Sequence, residues 1–289
     1  MDEQRLKLAV QKSGRLTDPS LELLARCGLK LSRGKDQLVG YGENLPLDVL
    51  FVRDDDIPDL VEQDICDLGL VGLNVLAEKA SGLIPLRELD FGRCRLSLAV
   101  PELFTYRGID SLDGRRIATT YPYLLGQYLK AREIRAVIVT LAGSVEIAPR
   151  LGRADLICDL VSTGSTLKAN HLREVATVFE SYAVLIQTPK ALPAEKANWV
   201  RRLLLRIDGV QQVRESKYIM LHAPRAALPE IRQLLPGSES PTILPLEGCA
   251  DRVAVHAVCR ENVFWETLEG LKRAGASDLL VLPVEKMLS

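Results

Sequence analysis

Short apolar runs alternate with helical patterns through the first two-thirds of the 289-residue chain. The runs at residues 6–10, 48–52 and 67–71 are mostly apolar, and helical patterns separate them. Continuous apolar strands between amphipathic helices are typical of parallel sheets that are buried on both faces. A second series extends from residues 116–120 to residues 155–161. The pattern therefore predicts an α/β fold with two lobes.

Two extended segments, residues 89–100 and 182–187, are expected to cross between these lobes. We expect residues 1–96 to form the first lobe, with residues 184–212 returning to it, and residues 97–183 to form the second. Two lobes joined by two crossing strands leave a cleft between them. Because α/β sheets bind ligands at the carboxyl ends of their strands, the cleft is the predicted ligand site.

The pattern changes near residue 213. Further strands are expected at residues 216–222, 241–246, 253–258 and 279–284, and helices at residues 226–235 and 263–274. The resulting order, βαββαβ, is the ferredoxin-like arrangement. This segment contains no nucleophile–base pair. We therefore predict that residues 213–289 form a small-ligand or interface module rather than a catalytic one.

Charge and composition exclude several classes of protein. The chain has 37 Lys and Arg against 38 Asp and Glu, a formal net charge of −1, so no global basic field attracts nucleic acid. Neither a signal peptide nor an apolar run of about 18 residues occurs, which predicts a cytoplasmic protein with no membrane partner. Six cysteines without a C-x-x-C pair predict reduced thiols in or near the core.

The segment Asp159-Leu-Val-Ser-Thr-Gly-Ser-Thr-Leu carries the clearest chemical signal. An apolar strand leads directly into a helix start that contains one glycine and four hydroxyl side chains. Backbone N–H groups, a close-approach glycine and hydroxyls together can hold an anion such as phosphate. The segment lacks the Gly-Lys-Ser/Thr of a Walker A loop. An ordinary helix cap and turn explains the same residues equally well.

Three other segments place charge at expected strand or helix ends. Lys12 and Arg15 flank Gly14 after the first strand, which suits a polyphosphate or a solvated turn. Arg53 precedes three aspartates, whose carboxylates are either helix N-terminal charges or contacts to a metal or to ribose hydroxyls. Glu146 lies at an expected helix start over residues 144–152, as a cap or as a ligand of sugar hydroxyls.

Taken together, these segments resemble ATP phosphoribosyltransferase, the first enzyme of histidine biosynthesis, in its long form with a C-terminal regulatory domain. The matching words are Gln11-Lys-Ser-Gly-Arg-Leu, Arg53-Asp-Asp-Asp-Ile-Pro, Asp67-Leu-Gly-Leu-Val-Gly, Leu89-Asp-Phe-Gly-Arg-Cys-Arg-Leu-Ser-Leu-Ala, Asp159-Leu-Val-Ser-Thr-Gly-Ser-Thr-Leu, Arg214-Glu-Ser-Lys-Tyr-Ile-Met, Ser240-Pro-Thr-Ile-Leu-Pro-Leu and Leu280-Val-Leu-Pro-Val-Glu-Lys-Met. The resemblance implies lobes like those of type II periplasmic binding proteins.

The resemblance also implies a reaction in which adenine N1 of ATP attacks phosphoribosyl pyrophosphate and pyrophosphate leaves with Mg²⁺. The expected catalytic residues are Lys12, Arg15, Glu146 and Asp159, with no metal ligand assigned. The expected substrate-binding residues are Gly14, Arg53, Asp155, Ser162, Thr163, Gly164, Ser165, Thr166 and Leu167. Among the acids, Glu146 and Asp159 are candidates for the ribose hydroxyls, and Asp155 is a weaker third.

Finally, the resemblance implies a homo-oligomer, from dimer to hexamer, that is inhibited by L-histidine through residues 213–289. The positions expected to contact histidine are Ser240, Thr242, Gly275 and Ala276. Two alternatives remain at this point: a two-lobed small-molecule binding protein and an inactive paralogue of the enzyme.

Overall fold

The computed structural model describes residues 4–34, 37–213, 216–235, 241–260, 265–285 and 287. The chain divides into two compact units, Met1–Val200 and Arg201–Ser289. The predicted boundaries of the lobes and of the C-terminal domain remain a proposal. None of the helices in the described ranges is long and apolar enough to cross a membrane.

The strands of the described residues are, in chain order, β1 (Leu6–Gln11), β2 (Leu31–Ser32), β3 (Val39–Gly42), β4 (Leu47–Val52), β5 (Leu68–Gly72), β6 (Pro85–Glu88), β7 (Cys94–Pro101), β8 (Arg116–Thr119), β9 (Val137–Thr140), β10 (Leu156–Val161), β11 (Leu172–Ser181), β12 (Ala183–Gln187), β13 (Ser216–Pro224), β14 (Thr242–Leu246), β15 (Cys249–Arg260) and β16 (Ser277–Pro283). The helices are α1 (Thr17–Arg26), α2 (Ile57–Glu62), α3 (Leu73–Glu78), α4 (Pro122–Lys130), α5 (Ser165–Ala169), α6 (Ala194–Gln212), α7 (Leu228–Leu234) and α8 (Trp265–Arg273).

The first lobe is a seven-stranded sheet in the order β2-β3-β4-β1-β5-β12-β6. At its centre, β1 pairs in parallel with β4 and β5. Leu8, Ala9 and Val10 of β1 are all fully buried, as expected for a strand that is covered on both faces. The carboxyl ends of these three parallel strands therefore lie on the same side of the sheet. This row of strand ends is the carboxyl edge of the sheet.

The second lobe is a five-stranded sheet in the order β11-β7-β10-β8-β9. Strands β8, β9 and β10 are parallel, whereas β7 and β11 run antiparallel to their neighbours. The chain leaves the first sheet after β6 and returns to it when β11 is followed, after Tyr182 alone, by β12. The two predicted crossings between lobes are confirmed.

The predicted helix over residues 144–152 is wrong. The structure has only a 3-10 turn, Val145–Ile147, between Ser144 in a left-handed conformation and Pro149. A helix through this segment would need a hydrogen bond from residue 149 to the Val145 carbonyl, and proline has no N–H to donate. The helical pattern between the apolar runs at residues 48–52 and 67–71 forms a 3-10 turn, Asp54–Asp56, followed by the short helix α2.

The second unit contains an antiparallel sheet in the order β14-β15-β13-β16. Buried side chains of β13 and β15, such as Leu221 and Val255, form one core cluster with Ile231 of α7 and Leu271 of α8. The order βαββαβ and the helix-covered face confirm the ferredoxin-like prediction. The α/β fold class is confirmed as well.

Candidate active site

The segment that follows β10 forms a tight loop into α5. Gly164 occupies the N-cap position with φ +79, a left-handed conformation that glycine adopts without strain. Ser162, Thr163, Ser165 and Thr166 are exposed. Thr163 Oγ1 lies 3.1 Å from Ser165 Oγ, so the hydroxyls form a small network at the start of the helix.

A cavity of about 300 Å³ lies beside this loop. Its lining consists of Glu146, Asp159, Leu160, Val161, Ser162, Thr163, Gly164, Ser165, Thr166 and Leu167. The structure thus brings eight of the candidate residues to one site. Leu167 itself is 7% exposed and packs into the core, so its side chain anchors the loop.

Asp159 has an electrostatically unfavourable position in this cavity. Burial raises the pKa of its carboxyl group, and the negative charge of Glu146 raises it further. The Leu160 N–H donates to Asp159 Oδ1 at 2.8 Å, which partly opposes that rise in pKa. A carboxylate kept in a place that disfavours its charge is typical of functional sites.

Basic residues lie at the carboxyl edge of the first sheet. Lys12 follows β1, and its N–H donates to the carbonyl of Val52, the last residue of β4, at 2.7 Å. Arg53 comes next after Val52, so Lys12 and Arg53 lie on neighbouring strand ends. Lys12, Arg53 and Arg15 are all exposed. Their charges are therefore available to an anionic ligand.

Gly14 lies between Lys12 and Arg15 and has φ +135. A Cβ there would lie 2.6 Å from the side-chain nitrogen of Gln11, so the turn is closely packed. Arg15 reaches across the edge of the sheet and donates from Nη1 to the carbonyl oxygen of Gly92 at 3.2 Å. Gly92 belongs to the first crossing segment. The basic turn is thus attached to the connection between the lobes.

The carboxyl edges of the two sheets face each other, as two contacts between α3 and the second lobe show. Asn74 follows β5 and contacts Tyr121, which follows β8. The carboxylate of Glu78 accepts hydrogen bonds from the Tyr123 and Leu124 N–H groups of α4 at 2.8 and 2.9 Å. The carboxylate of one lobe therefore caps a helix of the other.

These connecting residues were missed in the sequence. The quoted word Asp67-Leu-Gly-Leu-Val-Gly ends two residues before Asn74. Because Asn74 and Tyr121 each follow a parallel strand at a helix start, the strand-end rule that selected Lys12 and Arg53 would have found them.

Asp155 is not brought to the cavity. It precedes β10, whereas the 162–167 loop follows that strand, so the two lie at opposite ends of it. Asp155 accepts hydrogen bonds from the N–H of Arg116 at 2.8 Å and from its guanidinium at 3.0 Å, and these bonds hold its pKa below the usual range. Its role here is to pair with Arg116.

The candidate histidine-binding positions of the second unit are also separated. Thr242 begins the edge strand β14, whereas Gly275 and Ala276 precede β16 at the opposite edge of the sheet. Gly275 has φ +90, and Ala276 is buried in the core. Ser240 lies outside the described residues.

Within the described ranges, no group of three or more His, Cys, Asp and Glu side chains is placed to hold a metal ion. Asp54, Asp55 and Asp56 do lie together after β4, and burial together with the charge of Asp54 raises the pKa of Asp55. None of the six cysteines, all of which lie in the described ranges, forms a disulfide, and five of them are buried.

Comparison with known proteins identifies the family. The ATP phosphoribosyltransferase family model (HisG) matches residues 53–209, and the model of the HisG C-terminal domain matches residues 214–286. A chain of the ATP phosphoribosyl transferase (HisG:HisZ) complex from Thermotoga maritima is 30% identical, with a TM-score of 0.60 over 70% of this chain and 98% of that one.

Two other solved structures share less. XAC2383 from Xanthomonas citri, bound to chloride ion, is 14% identical over 73% of this chain and 85% of its own, with a TM-score of 0.50, and shows the fold alone. A histidine kinase sensor domain with similarity to periplasmic binding proteins is 11% identical over 70% of this chain and 88% of its own, with a TM-score of 0.49. Since the HisG model alone covers more than half of the sequence, the chain belongs to the ATP phosphoribosyltransferase family, which catalyses the first step of histidine biosynthesis.

Proposed function

We propose that the cavity beside the 162–167 loop binds the phosphoribosyl group of phosphoribosyl pyrophosphate, which the chain transfers to N1 of ATP. The observation that carries this assignment is the composition of the cavity wall. One part of it is a glycine loop with four hydroxyls, and another part is a pair of carboxylates. A 5-phosphate fits the loop, and ribose hydroxyls fit the carboxylates.

In this arrangement the loop holds the 5-phosphate through backbone N–H groups and the hydroxyls of Ser162, Thr163, Ser165 and Thr166. Glu146 and Asp159 accept hydrogen bonds from the ribose hydroxyls. Asp155 has no part in the proposal, because it lies at the other end of β10.

Lys12, Arg15 and Arg53 are proposed to bind the phosphates of ATP or the departing pyrophosphate. Gly14, which has no side chain, lets these phosphates come close to the backbone of the turn. These cations belong to the first lobe and the phosphoribosyl cavity to the second, and the contacts of Asn74 and Glu78 bring the two edges together. Binding both substrates between the lobes aligns the adenine with the ribose carbon that it attacks.

The chemistry requires no protein nucleophile. Adenine N1 attacks the anomeric carbon while the bond between that carbon and pyrophosphate breaks, and the pyrophosphate leaves with the electron pair of the broken bond. Positive charge on the first lobe stabilises the negative charge that develops on that leaving group. We propose Mg²⁺ as the accompanying ion, which neutralises pyrophosphate and takes most of its ligands from phosphate oxygens.

We also propose that L-histidine inhibits the enzyme by binding to the second unit, in a homo-oligomer of the cytoplasm. Thr242 and Gly275 lie on opposite edges of one sheet. A single amino acid can contact both positions only where a second copy of the chain brings one edge to the other. A histidine site of this kind would therefore be linked to assembly.

An assay tests the central proposal. The purified chain is mixed with ATP, phosphoribosyl pyrophosphate and Mg²⁺, and the ultraviolet absorbance of N1-substituted adenine is followed. We expect product in the complete mixture and none when either substrate or Mg²⁺ is left out. A folded sample without product in the complete mixture would contradict the proposal, and a rise in Tm with amino acids alone would favour a binding protein.

A further inference from the structure

A charged cluster contacts the 162–167 loop without lining the cavity. Arg95 of β7 is the partner of Val161, the last residue of β10, in the antiparallel register. Its guanidinium donates from Nη1 to the carbonyl oxygen of Ser162 at 3.3 Å. The loop therefore begins with a peptide group that is attached to the neighbouring strand.

The guanidinium is held in place by a second strand. Nε and Nη2 of Arg95 donate to the two carboxylate oxygens of Glu174, each at 2.5 Å. The hydroxyl of Ser97, which is fully buried, donates to the same carboxylate at 2.8 Å. Bidentate pairs of this kind fix the plane of the guanidinium as well as its distance. The third nitrogen, Nη1, is thereby aimed at the loop.

The geometry of the peptide group shows how this contact reaches a ligand. The carbonyl of Ser162 and the N–H of Thr163 belong to one peptide unit. A donor on that carbonyl polarises the N–H and restricts its rotation, so the N–H becomes a stronger and better oriented donor. Arg95 does not line the cavity, and its charge is balanced by Glu174. It therefore acts through the loop rather than as a counterion of the ligand.

We propose that Arg95 and Glu174 are positioning residues, which orient the Ser162–Thr163 peptide toward the 5-phosphate of phosphoribosyl pyrophosphate. The inference rests on the proposed function, since it requires that the loop binds this phosphate. The competing explanation is that the pair only fastens β7 to β11. A fastening role would alter stability without distinguishing between the two substrates.

Steady-state kinetics on the full chain distinguish these explanations. Arg95→Lys keeps the charge but loses the bidentate geometry, and Glu174→Gln keeps the shape but loses the charge. We expect each to raise the KM for phosphoribosyl pyrophosphate about tenfold, as for the loss of a hydrogen bond to a charged group, with less than a twofold change for ATP. Because the two residues act as a unit, we expect the KM of the double variant for phosphoribosyl pyrophosphate to be no higher than that of the single variant with the higher KM.

A matched control lies at the other end of β10. Arg116 pairs with Asp155 there, so Arg116→Lys breaks a similar ion pair and is expected to leave both KM values unchanged. Thermal unfolding of all variants is measured alongside. If Arg95→Lys does not fold, Glu174→Gln provides the same measurement.

Two results would overturn the inference: an unchanged KM for phosphoribosyl pyrophosphate in both single variants, or equal increases of both KM values together with a lower Tm. Failure of the proposed function has a different signature. In that case the wild-type chain makes no product, or the double variant Thr163→Ala/Thr166→Ala binds phosphoribosyl pyrophosphate as well as the wild type does.

Discussion

Asn74 of the first lobe donates from Nδ2 to the hydroxyl of Tyr121 in the second lobe, at 3.1 Å. The other side of the same amide, Oδ1, accepts a hydrogen bond from Ser181 Oγ at 2.7 Å. Ser181 is the last residue of β11, one position before the chain crosses back to the first lobe. A single side chain, 2% exposed, therefore joins both lobes and their second connection.

Asn74→Ala is expected to lower the free energy of unfolding by about 1–3 kcal/mol, because it leaves the hydroxyls of Ser181 and Tyr121 without this partner in a water-poor site. Urea unfolding measures the change. Asn44→Ala, which removes the hydrogen bonds of an exposed amide, is the control and should cost less. Equal losses for the two variants would show that Asn74 does not couple the lobes.

Gly164→Ala is expected to weaken phosphoribosyl pyrophosphate binding. A Cβ at this position meets only Val161 Cγ1, at 3.9 Å, so the protein itself has room for it and the penalty comes from the positive φ, about 1–2 kcal/mol. Gly114→Ala is the matched control, since it has φ +69 and no atom within 4 Å of the added Cβ. We expect similar losses of Tm in both variants, but a higher KM in Gly164→Ala alone. The same KM in both variants would indicate that the loop is only a helix cap and does not bind phosphate.

Asp159→Asn and Asp155→Asn are expected to change stability in opposite directions. Burial raises the pKa of Asp159, so its ionised form opposes folding and the penalty grows as pH rises through the window above the unfolded pKa. Hydrogen bonds from Arg116 lower the pKa of Asp155, so this group contributes stability that is lost as pH falls through its folded pKa.

At pH 7 we therefore expect Asp159→Asn to raise Tm by a few degrees while lowering activity, and Asp155→Asn to lower Tm. Both differences should shrink below about pH 4, where aspartates are protonated in the unfolded chain. Thermal unfolding between pH 3 and pH 8 measures this dependence. A lower Tm for Asp159→Asn at pH 7 would contradict the electrostatic description of the cavity.

Ending the chain after Gln212, the last residue of α6, is expected to abolish inhibition by histidine and to change the oligomeric state. The two sheets of the first unit have their own cores, so the cavity beside the 162–167 loop should remain. Activity with and without histidine, together with light scattering, measures both effects. A folded truncated chain that histidine inhibits as strongly as the full chain would refute the regulatory proposal.

The fold was predictable where the spacing of apolar residues and the order of strands and helices along the chain indicated the same arrangement. The continuous apolar run that became β1 and the βαββαβ order of the second unit needed no knowledge of distant contacts. The false helix at residues 144–152 arose because a short amphipathic pattern outweighed Pro149. The placement of β12 between β5 and β6 was not predictable from local pattern, because it depends on pairing over more than a hundred residues.

The candidate site was predictable to the extent that it lies at strand ends. Loop 162–167 follows a strand and can be recognised in the sequence from its glycine and its four hydroxyl residues. Arg95 and Glu174, in contrast, lie inside strands, where single charged residues are common. Asp155 shows the converse error. Asp155 precedes β10 and therefore lies at its amino end, whereas the 162–167 loop follows the strand. The rule that ligands bind at the carboxyl ends of strands would have excluded Asp155.

The position of β12 in the first sheet also determines the order in which the lobes can be completed during translation. Every strand of the second sheet has left the ribosome once residue 181 is free, whereas β6 has no neighbour in the first sheet until residues 183–187 follow. Domains generally fold as their segments emerge. The second sheet, whose strands all lie between residues 94 and 181, is therefore the first that can be completed, and the cavity beside the 162–167 loop can exist before β12 joins β5 to β6 in the first sheet.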